Sequence, residues 1–105
     1  MYLQEVCRTK FGFLAEVEDA DENRFLKSNA VFDSYWIGGT DKQTEGVFMW
    51  VHSGVKFDFN DWDNGEPNDA EGNEDCVQLK KEFDYKWNDS ICAMNYHFVC
   101  EIPWY

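Results

Sequence analysis

Apolar and polar residues alternate along this chain with two different periods. Between Met1 and Lys10 the apolar residues Leu3, Val6 and Cys7 recur at the spacing of one helix face, and Gly12 is placed to end that helix. Phe13–Val17 is a short extended piece. Asp19 followed by Glu22 forms a capping box, which opens a second helix running to about Asn29 with Phe25 and Leu26 as its buried face. The second half changes period. Tyr35-Trp36-Ile37 is a compact apolar run closed by Gly38-Gly39, and Phe48-Met49-Trp50-Val51 is another that ends at Ser53-Gly54. Val55, Phe57 and Phe59 alternate with polar residues as a half-buried strand does. Cys76-Val77-Gln78-Leu79 and Phe98-Val99-Cys100-Glu101-Ile102 read as the last strands. Helices in the first half and strands in the second place the chain in the α+β class.

From Asn60 to Asp75 the periodicity lapses, broken by Gly65, Pro67 and Gly72. Loops of this length in a compact domain are usually functional or disordered, and this one carries Trp62, a proline and many carboxylates, which favours function. No repeat or linker divides the chain, so residues 1–105 form one domain, with a core modest enough that cross-links matter. Cys7, Cys76, Cys92 and Cys100 form an even set in a short chain, the mark of a disulfide framework made in an oxidising compartment, although four cysteines allow three pairings. The absence of any CxxC pair argues against zinc. Five Trp, five Tyr and nine Phe imply a dense aromatic core or an aromatic-lined surface.

Acidic residues outnumber basic ones by 21 to 9, for a formal charge of −12. That balance excludes nucleic acid as a partner, since phosphates demand a basic patch, and it disfavours an anionic membrane surface. No apolar run is long enough to span a bilayer, and no signal peptide opens the sequence, so a secreted protein would be present in its mature form.

The acids crowd among aromatics and asparagines from Asp58 to Asp89, as they would around a hard cation. Glu66-Pro67-Asn68, Glu74 and Trp87-Asn88-Asp89 offer carboxylate and amide oxygens of the kind Ca²⁺ takes, six to eight at a time. A cis bond at Pro67 would set Glu66 and Asn68 on one side of a tight turn. The amides are the informative part. Each Asn carries an NH₂ donor beside its carbonyl, whereas an ionised Glu only accepts. Alternating Glu and Asn around one ion therefore presents donors and acceptors together. That pattern suits two neighbouring hydroxyls, each donating to a Glu and accepting from an Asn. An EF-hand is excluded by spacing: counted from Asp61, the sixth residue is Glu66 rather than Gly and the twelfth is Gly72 rather than Glu.

The chain resembles the C-type lectin carbohydrate-recognition domain. The resemblance rests on Phe13-Leu14-Ala15, Tyr35-Trp36-Ile37-Gly38, Thr40-Asp41, Glu45-Gly46, Phe48, Trp50, Ser53-Gly54, Trp62, Gly65-Glu66-Pro67-Asn68, Glu74-Asp75-Cys76-Val77, Trp87-Asn88-Asp89, Cys92 and Phe98-Val99-Cys100-Glu101, in that order. It implies the C-type lectin-like fold: two helices, small antiparallel sheets, a long Ca²⁺-binding loop and the disulfides Cys7–Cys100 and Cys76–Cys92. It implies a sugar-binding Ca²⁺ held by Glu66, Asn68, Glu74, Asn88 and Asp89, and mannose-, fucose- or N-acetylglucosamine-type glycans that also contact Glu66, Asn68, Glu74 and Asn88, since Glu-Pro-Asn accompanies that class and Gln-Pro-Asp the galactose class. An auxiliary Ca²⁺ on Asp41, Glu45, Asp69 and Asp75, with the main chain of Glu74, fits by the same resemblance. Trp36, Trp50, Trp62 and Trp87 match structural positions, while Tyr85 and Lys86 are candidates for touching sugar beyond the ion.

Further expectations follow. His52 and His97 are isolated and carry no catalytic role, and Trp104 and Tyr105 form either an exposed patch or a packed tail. Asn88-Asp89-Ser90 fits a glycosylation sequon, but a glycan there would remove a ligand, so it is expected to be unoccupied. Family domains usually open with a strand that pairs with the final one. Here that strand is expected to be missing or shortened, leaving the last strand an edge and room for a homo-oligomer, in which linked weak sites gain avidity. The leading expectation is a secreted, Ca²⁺-dependent lectin that binds and does not catalyse. The alternative is a domain of the same fold that turns its acidic face to mineral, ice or protein. An enzyme is disfavoured, because no nucleophile–base constellation is visible.

Overall fold

The computed structural model describes residues 2–68 and 72–103. Asp69, Trp104 and Tyr105 lie outside the described residues, and with them the expectations made for those positions.

Helix α1 spans Tyr2–Thr9. It is closed by the amide of Gly12, which donates to Cys7 O at 2.9 Å, while Phe11 takes the left-handed conformation at φ 64°. The helix thus stops at Thr9, and the left-handed residue that turns the chain out of it is Phe11 rather than Gly12, where the sequence predicts the end. Gly12 is small for another reason: a Cβ there would collide with the backbone oxygen of Glu101. Strand β1 is Phe13–Leu14, anchored to α1 by Gln4 Oε1, which accepts from Leu14 N at 2.9 Å. Helix α2 is Ala20–Asn29, with Asp19 as N-cap accepting from Glu22 N at 2.8 Å. Glu22 Oε2 reaches back to Glu18 N rather than to the N-cap amide itself. The inward face of α2 differs from the expected one. Asn23, Leu26 and Lys27 share a face at i, i+3 and i+4, which turns Phe25 outward to 67% exposure.

The main sheet contains β2 (Ser34–Thr40), β3 (Met49–Trp50), β4 (Cys76–Lys80), β5 (Lys86–Ser90) and β6 (His97–Phe98). Its path runs β3-β2-β4-β5 through antiparallel pairs, and β6 joins β2 in parallel. A second sheet pairs β1 with β7 (Cys100–Glu101), Phe13 opposite Glu101. The final apolar run is thus not one strand. Val99 splits it, donating to Trp36 O on one side and accepting from Ala15 N on the other. One edge of β7 is covered by β1.

Two more expectations are corrected. Gly38 and Gly39 lie inside β2 rather than closing it, because β1 crosses so tightly that a Cβ on Gly38 would sit 2.8 Å from Leu14 O. Val55–Phe59 forms no strand beyond a single bridge between Lys56 and Met49. Phe57 and Phe59 still pack on the core, but Val55 is exposed.

The core gathers Ala15, Val17, Ile37, Phe48, Trp50, Val77, Leu79 and Trp87. Trp87 is fully buried, and Trp50, Phe57, Phe59 and Trp62 meet it edge-on at centroid distances of 5.5–6.0 Å. Its indole N–H donates to Asn23 Oδ1 at 3.0 Å. Trp36, Trp50, Trp62 and Trp87 are all packed, as the resemblance implies. The disulfides join Cys7 to Cys100 and Cys76 to Cys92, also as it implies. In the loop-entropy treatment, closing loops of these lengths contributes about 3 kcal/mol for the short bridge and about 4–5 kcal/mol for the long one. Among the described residues no helix is long and apolar enough to cross a membrane.

The crossing at Gly38 gives a direct test of this packing. Gly38→Ala must push β1 off β2, and we expect a loss of about 1–3 kcal/mol, read as a lowered midpoint in urea unfolding followed by tryptophan fluorescence. An unchanged midpoint would show that β1 yields freely.

Candidate carbohydrate-binding loop and cation sites

The long loop leaves the core at Asp61 and is fastened at once to the outer edge of β5. Trp87 N donates to Asp61 O and Asp63 N to Trp87 O, each at 2.9 Å, so Trp62 bridges Trp87 in parallel. The Asp61 carboxylate accepts from Asn23 Nδ2 at 2.8 Å and pairs with Lys27 Nζ at 2.9 Å, tying the same point to α2. A turn follows, closed by Glu66 N donating to Asp63 O, with Gly65 at φ 85° in a conformation that side chains resist. The Glu66–Pro67 bond is cis, as the sequence argument anticipates.

This path brings Glu66 and Asn68 to the end of β5. Asn68 N donates to Asp89 Oδ1 at 3.1 Å, and Asn68 Nδ2 lies 3.5 Å from Glu66 Oε2. Glu66 faces Asp89 and lies within electrostatic reach of Glu74. Burial, then the hydrogen bond and charge of Asp89, then the charge of Glu74, push the Glu66 carboxyl up to about 7, against a smaller opposing effect of the Asn68 amide. Its Oε1 is buried without a hydrogen-bond partner. Two ionised carboxylates cannot bond each other, so such a pair calls for a proton or a cation between them.

Asn88 stands next in the strand but is turned differently: its Nδ2 donates to Gln78 Oε1 at 2.8 Å across β4 and β5. Lys86 is exposed at the start of β5. Tyr85 donates its hydroxyl to Phe32 O and lines a separate cleft of about 820 Å³ with Asn23, Lys27, Phe59, Asp61 and Lys81. None of the five expected sugar-site ligands lines that cleft. His52 stacks on Phe13 and His97 on Phe32, at ring separations of 4.0 and 3.7 Å.

The auxiliary set forms the tighter group. Ligand oxygens of Asp41, Glu45 and Asp75 all lie within 4.8 Å of one another, and Glu66, Glu74 and Asp89 do not converge to that extent. Asp41 is buried. Its Oδ2 accepts from Gly46 N at 2.9 Å, while its Oδ1 has no hydrogen-bond partner. A buried carboxylate oxygen without a donor, beside two further carboxyls, is the environment that a hard cation fits. Sequence reasoning missed Gln78, Asn23 and Asp61. Asn23 and Asp61 lack any local motif, and Gln78 appears only as the polar position of an apolar strand.

Residues 3–102 match the family model described as the lectin C-type domain. The chain belongs to the C-type lectin domain family. It is 34% identical over 91 residues to the perlucin-like protein of Mytilus galloprovincialis, an alignment that covers 82% of this chain and 58% of that protein. The C-type carbohydrate-recognition domain of cow CD23, solved in the presence of a GlcNAc2Man3 oligosaccharide, superposes with TM-score 0.84 at 35% identity, covering 92% of this chain and 74% of that one. A calcium-independent type II antifreeze protein superposes with TM-score 0.83 at 27% identity, covering 94% and 74%. Members of this family are binding proteins rather than enzymes, and the acidic clusters of this lectin domain are compatible with the Ca²⁺ that such domains generally hold.

A cation at Glu66 must displace the proton that this carboxyl holds below about pH 7. We expect apparent Ca²⁺ affinity to be level above that pH and to fall by up to about tenfold per unit below it, with proton release detected by calorimetry in buffers of different ionisation enthalpy. The metal-free protein should respond in the opposite sense. The raised Glu66 contribution to stability is complete below its ordinary 4.5 and is lost as pH rises through about 7. A Ca²⁺ affinity independent of pH between 5.5 and 8 would sink the assignment of Glu66.

Proposed function

We propose that this lectin domain binds mannose-, fucose- or N-acetylglucosamine-type glycans in a Ca²⁺-dependent manner, gripping two neighbouring equatorial hydroxyls. The observation that carries the reading is the confrontation of Glu66 with Asp89, an acceptor facing an acceptor, with Asn68 bonded to both residues. Glu66, Asn68, Glu74, Asn88 and Asp89 are the residues that would hold the ion. Ca²⁺ supplies a hard centre whose remaining coordination positions accept hydroxyl oxygens. The rest is done by the side chains. Glu66 and Glu74 accept hydrogen bonds from the hydroxyls, and Asn68 and Asn88 donate amide N–H bonds to the hydroxyl oxygens, so each hydroxyl meets a donor and an acceptor at once. Exchanging acid and amide at positions 66 and 68 reverses that sense and changes which pair of hydroxyls fits.

Asp41, Glu45, Asp69 and Asp75 are proposed to hold an auxiliary Ca²⁺ that draws the loop base together. Two disulfides fit an oxidising, extracellular setting, so a secreted role belongs to the same proposal. A second reading has support of its own. The calcium-independent antifreeze protein shares the fold, and a charge of −12 would equally suit a partner met through the acidic face, such as mineral, ice or protein.

Retention on immobilised mannose separates the two. We expect the protein to be held in millimolar Ca²⁺ and released by EGTA, and Glu66→Gln combined with Asn68→Asp to weaken mannose binding about tenfold or more in favour of galactose, measured on a glycan array. Absence of retention in Ca²⁺ supports the second reading, retention that ignores EGTA refutes the Ca²⁺-dependent grip, and mannose binding unchanged by the double exchange would refute the hydrogen-bond account.

A further inference from the structure

Strand β4 sends Val77 and Leu79 into the core and presents Gln78 to the other face of the sheet. There Gln78 stands directly opposite Asn88 in the β4–β5 register, with Trp36 opposite it on β2. It is 2% exposed, its Oε1 accepts from Asn88 Nδ2 at 2.8 Å, and its own Nε2 is buried with no hydrogen-bond partner. A buried amide donor left unpaired is destabilising. Methionine would fill the same space without that loss. The polar side chain is thus a destabilising choice whose return is its single bond to Asn88.

We propose that Gln78 is the positioning residue that fixes the polarity of the Asn88 amide. This inference rests on the Ca²⁺–diol reading given above and adds a residue to it. The two ends of an asparagine amide have nearly the same shape, and only the hydrogen-bond network decides which way each faces. Gln78 Oε1 can only accept. With Oε1 turned toward Asn88, as observed, Gln78 holds the nitrogen of Asn88 on its own side and leaves Asn88 Oδ1 at the opposite end of the amide. That is the orientation a cation requires, because the reversed amide would aim its N–H groups at a positive charge. One N–H of Asn88 is spent on Gln78 and the second remains for a hydroxyl oxygen. The acid–amide pattern legible in Glu66, Asn68, Glu74 and Asn88 is thus incomplete by itself: Asn88 is set before any ligand arrives, and Gln78 sets it.

Three variants of the intact chain test this: Gln78→Met, which keeps the volume and removes the acceptor, Gln78→Glu, which keeps an acceptor, and Asn88→Ala. Ca²⁺ affinity is measured by calorimetry, thermal stability in EGTA, and protection of the Asn88 side-chain amide by ¹⁵N NMR exchange. We expect Gln78→Met to lower Ca²⁺ affinity about tenfold or more and to abolish the protection of the Asn88 amide, while its midpoint in EGTA stays at or above that of the parent. Gln78→Glu should keep Ca²⁺ affinity at or above the parent's. The proposal is overturned if Gln78→Met binds Ca²⁺ as the parent does while Asn88→Ala does not. It is also overturned if the Met and Glu variants lose affinity equally, or if the Met variant loses metal-free stability together with affinity. If Asn88→Ala itself leaves Ca²⁺ affinity unchanged, the cation reading fails at Asn88, and the role of Gln78 falls with it.

Discussion

The indole N–H of Trp87 has to find an acceptor inside the protein, and the one it finds organises the binding half of the molecule. Trp87 is fully buried among aromatic rings, where an unpaired N–H would cost about 1–3 kcal/mol. Asn23 Oδ1 accepts it, Asn23 Nδ2 passes the connection to Asp61, and Asp61 also holds Lys27. The backbone of Trp87 simultaneously pairs with Asp61 and Asp63. One residue thereby joins α2, the edge of β5 and the root of the long loop. The loop consequently turns back toward Asp89 rather than away from it.

That anchoring makes carboxylates meet. Asp41, Glu45 and Asp75 bring carboxylate oxygens together on one side, and on the other Glu66 meets the charges of Asp89 and Glu74. Like charges so placed oppose the fold, and anything that neutralises them in the folded state stabilises it by mass action. The two groups differ in degree of preparation. The Asp41 group already has its oxygens within 4.8 Å of one another and a carboxylate fixed by the Gly46 amide, whereas Glu66 sits on a turn and holds its carboxyl partly protonated near neutral pH. In the proposed reading, a cation at the Glu66 group would meet the further cost of drawing its carboxylates together.

Much of this was legible in the residues themselves. The capping box at Asp19 marks α2, and Glu-Pro-Asn and Asp89 mark residues that the loop brings into contact. The misreadings share a cause: periodicity records which side chains are apolar, not what their backbones meet. Phe25 is apolar but rotated off the inward face by Asn23, which is recruited inward through Trp87. Gly38 and Gly39 read as a strand end, yet Gly38 is small because β1 crosses it and Gly39 because Phe57 and Val77 press on it. Phe98–Ile102 read as one strand because both sheets ask for the same apolar residues, and only the third dimension splits it at Val99. Gln78 gave no signal, since a polar residue on a half-buried strand is expected, and only its partner lends it meaning.

The way the sheets close has a bearing on biosynthesis. Strand β1 waits for β7, and β2, which also pairs with β3 and β4, waits for β6, so both sheets are completed only by residues 97–101. A nascent chain emerging in order from the ribosome carries Leu14, Trp36 and Ile37 without their final cover until almost the whole domain has been translated. Completion of this fold is therefore a late, all-or-none event, and a chain cut short of Cys100 would leave its aromatic interior open to chaperones and to aggregation.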